Sequence, residues 1–591
     1  MSLSFIFLFL TFSVLAQNQL DPIEVEATKD IERFTFVSST TITTRDLENQ
    51  PIGLISPALD KVPGVIANQN GGPGGRVSFF IRGTESRHVS FTLDGLKIND
   101  TSNTDRQFDA AFMSSPFIRE IVIHKGPQAV LYGSDALGGM IEMKSRRGED
   151  APQTRLSING GSFGTIETSL SKDWKTKNNN GTLTGSRFHS DGISRINKKR
   201  FNAKERDATD ITQLTSSSEH RWASKFQTDF LTSYLHGVAE QDGFASDNGN
   251  DFSRNDQFII QQKTNYEINE NQAVSLRNGF NRHQRHNESL TSDEEFFDGN
   301  LFQNELIHRL EIGKLGLLTG LATDRESAKA RGMDRSFDLH SAFMQSSFLF
   351  NDFKFHAGVR ADRHSKYGSF YTGSSGLAFK GFALQYSQGY KAPSLYQLYG
   401  PSSFGSPVAN PNLEPETNHS WEASWKKISE AFEGKIALFQ NRLSNQFTYS
   451  FMQGYLNQQR FIAEGIELDG KYKSRHFHFF SSFTHQQFRK EEATVLKRPY
   501  NVAQVGVSYF PQESIELNLT ERWFSSRKDF GSTGITKLNG YEVMDFSIRK
   551  TWEKDDVALQ LKNVMNREYE EIYGFSVMPR SVFLHYGHQF Q

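Results

Sequence analysis

The sequence predicts an all-β transmembrane barrel of about 22 antiparallel strands, with its lumen filled by an N-terminal mixed α/β domain. Three observations carry this reading: a period-two alternation of apolar and polar residues, the length over which it runs without a helical or linker break, and a Gly-rich segment in front of it. Alternation is clearest near the C-terminus. Ala503, Val505, Val507 and Tyr509 share one face, as do Ile515, Leu517 and Leu519, then Met544, Phe546 and Ile548, then Val557, Leu559 and Leu561. Opposite them stand Gln504, Glu516, Asn518, Asp545, Arg549 and Gln560. Successive side chains of a strand point to opposite faces, so each strand has one dry and one wet face. A soluble sandwich shares that pattern. Against it stand the 441 residues that follow Asp150 in a chain of 591, and the aromatics Trp421, Trp425 and Trp523, expected near strand ends. At about 20 residues per strand and connection, this length gives about 22 strands and a lumen wide enough to need filling.

Composition agrees. Lys and Arg number 66 against 68 Asp and Glu, a formal charge of -2, which argues against a polybasic nucleic-acid binder. A mean hydropathy of -0.56 and the lack of any apolar run of roughly 18 residues exclude a bundle of membrane-crossing helices. Barrel strands escape that test because their lumen-facing residues are polar; the 51 Phe and 18 Tyr suit such a wall. The chain has no Cys, which removes disulfide frameworks, thiolate metal sites and Cys nucleophiles together.

In chain order, residues 1–16 read as a signal peptide: Phe5 to Leu15 is almost wholly apolar, and Val14-Leu15-Ala16 before Gln17 fits a small-residue cleavage site, although no Lys or Arg precedes the run. Residues 17–28 form a polar tail. Residues 29–147 form the filling domain, with strands such as Val77 to Ile81 and Ile118 to Ile123 between glycine-marked turns. Residues 148–591 form the barrel, ending on Val582, Leu584, Tyr586 and Phe590 in the alternation of a last strand, with Gln591 after the expected terminal Phe. Arg82 and Asp94 are charges in apolar β contexts, so each requires a partner inside the filler or on the wall. A filler held by wet polar contacts is expected to rearrange more readily than one with an apolar core.

Ordered motifs then make the reading specific. Asp21-Pro22-Ile23-Glu24-Val25-Glu26-Ala27-Thr28 resembles the TonB box of TonB-dependent outer-membrane receptors. Val62-Pro63-Gly64-Val65, Ile81-Arg82-Gly83, Leu93-Asp94-Gly95, Lys125-Gly126-Pro127 and Leu131-Tyr132-Gly133-Ser134-Asp135-Ala136-Leu137-Gly138-Gly139 agree with that family in order and spacing. Within it the chain is most similar to receptors for cobalamin, through Phe80-Ile81-Arg82-Gly83-Thr84 with His88-Val89, Tyr390-Lys391-Ala392-Pro393, Asn410-Pro411-Asn412-Leu413-Glu414-Pro415-Glu416 and Asn563-Val564-Met565-Asn566. The likeness thins in the long loops.

The resemblance implies a bacterial outer-membrane transporter, monomeric and embedded in outer-membrane lipid, that takes up a corrinoid with work supplied by TonB and its inner-membrane energising complex. A ferric siderophore is the alternative cargo. TonB would pull on residues 21–27, whose β-prone Ile23 and Val25 can add as a strand to a partner's sheet. The implied cargo contacts on the plug are Arg76, Ser78, Glu85, Asn103 and Thr104, of which Ser78 alone keeps the residue of cobalamin receptors. Ca2+ in the second and third extracellular loops would fall to Asp207, Asp210, Asp242, Asp247 and Asp251, hard oxygen ligands on flexible loops; the alternative is solvated acidic loops, since a tight Asp-Asn-Asp-Gly pattern is missing and Lys198, Lys199 and Arg200 stand nearby. No catalytic cofactor is expected.

Two further patterns are set aside. Gly160-Gly161-Ser162-Phe163-Gly164 has the letters of a nucleophile elbow, but alternation on both sides places it on barrel strands, so no enzyme is expected. His476 and His478 read as wall or loop residues; receptors for haem usually carry His between the blocks at 393 and 410, and residues 394–409 contain none.

Overall fold

The computed structural model describes residues 38–590 apart from 51, 149–152, 202, 204, 244–245, 289–294, 402–407, 451 and 491–493. The signal peptide and the segment at 21–27 lie outside the described residues. From Thr154 onward 22 antiparallel strands close into a barrel, with Ser581–Phe590 paired to Thr154–Gly161 across the seam. A separate hairpin, Arg527–Gly531 with Gly534–Leu538, stands in one of the connecting loops.

Alternation decides which way the wall faces. The strand Thr165–Lys175 alternates buried and exposed residues as far as Asp173, and its aliphatic residues lie on the exposed face: Ile166 and Leu170 are each 51% exposed while Ser169 and Ser171 are buried. Near the C-terminus Val505, Leu519, Ile548 and Leu559 point outward, and Gln504, Glu516, Asp545 and Gln560 point into the lumen. Apolar residues face out and polar residues face in, the inverse of a soluble protein and the arrangement a lipid surround requires. Trp523 stands near its strand end as expected, whereas Trp421 sits five residues inside the strand Glu416–Ile428. Short turns, such as the one between Ala223 and Phe226, gather at the end that also holds Thr154 and Phe590; long connections, including 191–208, 392–415 and 563–580, gather at the other. Short turns face the periplasm in such barrels, so the long loops are extracellular. Ser246–Asn269 has 24 residues; at about 3.4 Å per residue it rises far above the apolar band.

The lumen holds the filling domain, or plug. Its elements are β1 (Ser39–Thr43), α1 (Thr44–Glu48), α2 (Ser56–Leu59), β2 (Val65–Gln69), β3 (Val77–Ile81), β4 (Val89–Leu93), β5 (Leu96–Lys97), β6 (Ile118–Lys125), α3 (Ala129–Tyr132) and β7 (Gly139–Ser145). A five-stranded sheet runs β1-β6-β7-β4-β5, with β4 and β7 parallel, and β2 pairs with β3 alone. Asp94 and Gly95 join β4 to β5 in a two-residue turn with φ of 48° and 89°, a geometry that demands glycine at its second position. The Asp94 carboxylate accepts the Ser145 N–H at 2.9 Å and its hydroxyl at 2.6 Å, which gives this half-buried charge its partner and ties the turn to β7.

The plug is not held by polar contacts alone. An apolar cluster built on Leu59, Phe79, Phe91, Ile118 and Ile141 continues onto the wall residues Ile211, Leu231, Leu235 and Ile259, so one side of the plug adheres through a dry seam. Elsewhere the contact is wet: a cavity of about 490 Å3 opens near Ser224 and Lys225 at the short-turn end and is lined by Tyr132, Arg147, Lys263 and Arg277.

Candidate functional site

Arg82 anchors the middle of the plug to the wall. It follows β3 with φ of 49°, and Gly83 beside it has φ of 73°; this strained turn aims the guanidinium at two lumen-facing carboxylates. Arg82 Nη1 donates to Glu422 at 2.6 Å, while Nε and Nη2 donate to Glu467 at 3.1 and 3.0 Å. Lys125 Nζ reaches Glu467 at 3.3 Å, and the Ser38 hydroxyl bonds Glu422. All of these side chains are buried, so the cluster is stable only as a complete set. A second cluster lies nearer the loops. Arg106 bonds Asp135 at 2.8 Å and Glu326 at 2.8 and 2.9 Å, and Lys391 reaches Asp135 at 2.5 Å. Burial pushes the Asp135 carboxyl upward, but Arg106 and Lys391 outweigh it and hold the group well below the ordinary carboxylate range. His88 Nε2 meets Glu416 at 2.8 Å; burial lowers the imidazole below its usual value despite that carboxylate.

The plug apex lies above these clusters and contains the cargo residues expected from sequence. Arg76 is exposed and reaches both Asn103 Oδ1 and Gln107 Oε1 at 3.4 Å, while Ser86 donates to the same Gln107 oxygen at 3.1 Å. Asn103 is buried beneath this web. Ser78 is half-buried on β3 opposite Asn68, and Glu85 takes Arg498 Nη2 from a barrel loop at 2.7 Å. The Thr104 carbonyl accepts the Ser394 hydroxyl at 2.6 Å, and Gln397 Nε2 donates to Asp105 at 2.9 Å. Arg76 and Asn103 therefore meet, whereas Glu85 and Thr104 are each held by the barrel. Sequence reasoning missed Gln107, Arg498, Ser394 and Gln397. Ser394 and Gln397 form a capping box at the start of the short helix Leu395–Tyr399, a signal readable in Ser394-Leu395-Tyr396-Gln397. That helix packs Tyr396 and Tyr399 against Phe297 and Phe337 of the wall, and Asn410 ties the same loop to the Tyr455 carbonyl at 2.8 Å.

Among the acidic loop residues, Asp207 and Asp242 come together, joined by Glu205, which sequence reasoning did not select; one oxygen of each lies within 4.8 Å of the others. Asp207 Oδ1 is buried without a hydrogen bond, while Oδ2 accepts the Arg195 N–H. Burial, with Asp242 beside it, raises the Asp207 carboxyl above its ordinary value. Asp210 is apart, bonded to Arg187 at 2.7 Å and His189 at 3.2 Å. Asp251 pairs across the strands with Gln241, next to Asp242. The Asp247 side chain lies outside the described residues. The Gly160–Gly164 motif is a turn between strands: Phe163 and Gly164 have φ of 63° and 62°.

Comparison with known proteins agrees with this architecture. Residues 153–566 match the family described as TonB dependent receptor-like, beta-barrel, and residues 32–140 match the TonB-dependent receptor plug domain. The chain is 24% identical over 570 residues to the vitamin B12 transporter BtuB of Vibrio vulnificus, covering 92% of this chain and 90% of the relative. The siderophore receptor PirA of Acinetobacter baumannii superposes with a TM-score of 0.81 at 15% identity, covering 96% of this chain and all of the other. The ferric yersiniabactin uptake receptor FyuA of Yersinia pestis gives 0.77 at 15% identity, with 94% and 98% covered. With a closed barrel, apolar outside and filled by a plug that buried ion pairs clamp to its wall, this chain belongs to the TonB-dependent receptors, transporters of the bacterial outer membrane.

Proposed function

We propose that the cargo is a corrinoid of the cobalamin kind. The observation that carries this reading is the makeup of the apex. Two of its charges are paired off, Glu85 with Arg498 and Arg87 with Glu416, Arg76 and Asp105 meet neutral amides, and Ser78, Asn103, Thr104 and Gln107 add hydroxyl and amide groups. A corrinoid carries amides around its rim and flat apolar faces; neutral donors and acceptors suit the first, and Tyr396, Tyr399 and Tyr455 suit the second. The relative from Vibrio vulnificus, named for vitamin B12, supports the same cargo. Exposed Arg76 favours the second reading, a ferric siderophore, whose anionic groups it would attract.

Transport would draw on TonB at Asp21, Pro22, Ile23, Glu24, Val25, Glu26 and Ala27 through β-augmentation. Ca2+ would be held by Glu205, Asp207 and Asp242, where it would neutralise three crowded carboxylates and tie loop 191–208 to the strand end at Asp242. The test is equilibrium binding of cyanocobalamin to the detergent-purified protein. Nanomolar affinity is the expected result. No binding at micromolar cyanocobalamin, with binding of a ferric siderophore in the same titration, overturns the corrinoid reading and leaves the transporter standing.

A further inference from the structure

A feature of the outer wall plays no part in moving cargo through the lumen. On the strands that surround Ala357, Ser375, Gly376 and Ala423, small side chains leave a groove of about 850 Å3 in the lipid-facing surface. Its walls are apolar, with Phe348, Phe355, Leu384, Trp421 and Leu438 all strongly exposed. Lone exposed apolar residues are ordinary on a barrel exterior, but a trench among them is a shape that lipid chains must fill or leave void.

The groove ends at Gln440, and there the chemistry changes. Gln440 Oε1 accepts Arg442 Nε at 2.6 Å, and Gln440 Nε2 donates to Glu464 at 2.7 Å. The remaining donors of the exposed Arg442 guanidinium have no acceptor among the described residues. Arg442 pairs across the sheet with His419 on one side and Ile462 on the other, and Ile462 pairs with Arg489, so a second guanidinium stands in the same row. Arg489 is engaged by Glu464 at 2.7 Å. The Tyr386 hydroxyl bonds His419 at 2.7 Å with its ring 4.5 Å from that of Trp421, an aromatic pair of the kind that marks the membrane interface. His419 is only three residues from Glu416, where its strand emerges at the loop end, so Arg442 stands at headgroup level in the extracellular leaflet. Three other exposed cations of the wall are ion-paired: Arg187 with Asp210, Arg325 with Asp338 and Lys329 with Asp334.

We propose that the groove and Arg442 together form a seat for one phosphorylated lipid of the extracellular leaflet. An acyl chain lies among Leu384, Trp421 and Leu438, and the phosphate accepts the free guanidinium nitrogens of Arg442, whose planar fork matches phosphate geometry. The occupant is a membrane lipid because the apolar trench and the cation are continuous. The seat is independent of which cargo the receptor carries.

The test is native mass spectrometry of the detergent-purified full-length protein, delipidated and then incubated with a bis-phosphorylated glucosamine lipid or its dephosphorylated form in matched micelles. Arg442→Gln removes the cation, Ala423→Leu fills the groove, and Arg325→Gln is the control at a wall position that does not line this groove; heat-modifiable mobility on gels verifies folding. Retention of one phosphorylated lipid by the wild type and the control, falling about tenfold or more in R442Q and A423L and for the dephosphorylated lipid, is the expected result. Equal retention by R442Q, A423L and the control overturns the proposal. So does equal retention of the two lipid forms. Full displacement of the lipid by millimolar inorganic phosphate would reveal an anion site without a lipid seat, which also overturns it.

Discussion

Replacing Arg82 with Met keeps a long side chain against Phe439, whose ring lies 4.9 Å from the guanidinium, but removes three hydrogen bonds to two carboxylates. Glu467 retains Lys125 at 3.3 Å and Glu422 retains Ser38, so neither is wholly abandoned, yet the two buried negative charges lose the cation that bridges them. Removing one partner from such a set costs about 3–5 kcal/mol, which lowers hydrogen-exchange protection by roughly a hundredfold to several thousandfold if the plug opens as a unit. The assay is hydrogen–deuterium exchange of the detergent-purified protein, read on peptides covering β3 and β6, with wall peptides as the internal control. Faster exchange in the plug alone is expected. Glu467→Gln completes a double-mutant cycle; because Arg82 and Glu467 touch, the two costs should couple by about 0.5–3 kcal/mol. Plug protection within about threefold of wild type, or costs that simply add, would refute the idea that this cluster clamps the plug.

Other outcomes are expected at the TonB segment and the acidic loop cluster. Val25→Pro should abolish TonB-driven uptake in cells while cyanocobalamin binding to the purified protein is unchanged, because proline removes a backbone donor from the segment expected to add as a strand; loss of binding as well would contradict that role. Calcium affinity, measured by calorimetry, should fall as pH is lowered. The Asp207 carboxyl is raised, so its protonated form persists above the ordinary carboxylate range, protons compete with calcium from near-neutral pH downward, and affinity returns as pH rises through the raised value. Asp207→Asn should weaken calcium binding and flatten that dependence, whereas Asp210→Asn, which alters only the contacts to Arg187 and His189, should leave it unchanged.

Strand periodicity was legible because every strand obeys one local rule, and the direction of the dry face followed from length and aromatic content. Contacts between the plug and the wall were not legible. Arg82 announced its need for a partner, but Glu422 lies 340 positions away among many lumen-facing polar residues, and only the closed register selects it. The acidic cluster shows the same limit: Asp207 and Asp242 were readable as carboxylates on neighbouring loops, while Asp210, the first of its strand to point outward beside Arg187, turns away from them. Glu205 was obscured by the basic residues on either side of it. At the apex, Arg76 and Asn103 were identified from motif position; Arg498, which fixes Glu85, lies in a barrel loop outside the motifs, and Ser394, which fixes Thr104, directly follows Tyr390-Lys391-Ala392-Pro393 but carries no sign of the plug carbonyl it meets.

The seam between Thr154–Gly161 and Ser581–Phe590 also ties the ends of the wall to the plug. His585 Nδ1 meets Asn159 Oδ1 across it at 2.7 Å, Asn159 Nδ2 donates to Glu167 at 3.0 Å, and Glu167 accepts the N–H of Gly53 in the plug at 2.6 Å. One chain of hydrogen bonds thus joins the last strand synthesised, the first strand of the wall and the domain exported before either. A cylinder without edges admits nothing sideways once it is shut, and its closing pair is separated by nearly the whole length of the wall, the slowest kind of contact to find. Glu167 and Asn159 thus hold Gly53 of the plug and His585 of the final strand through one pair of touching side chains.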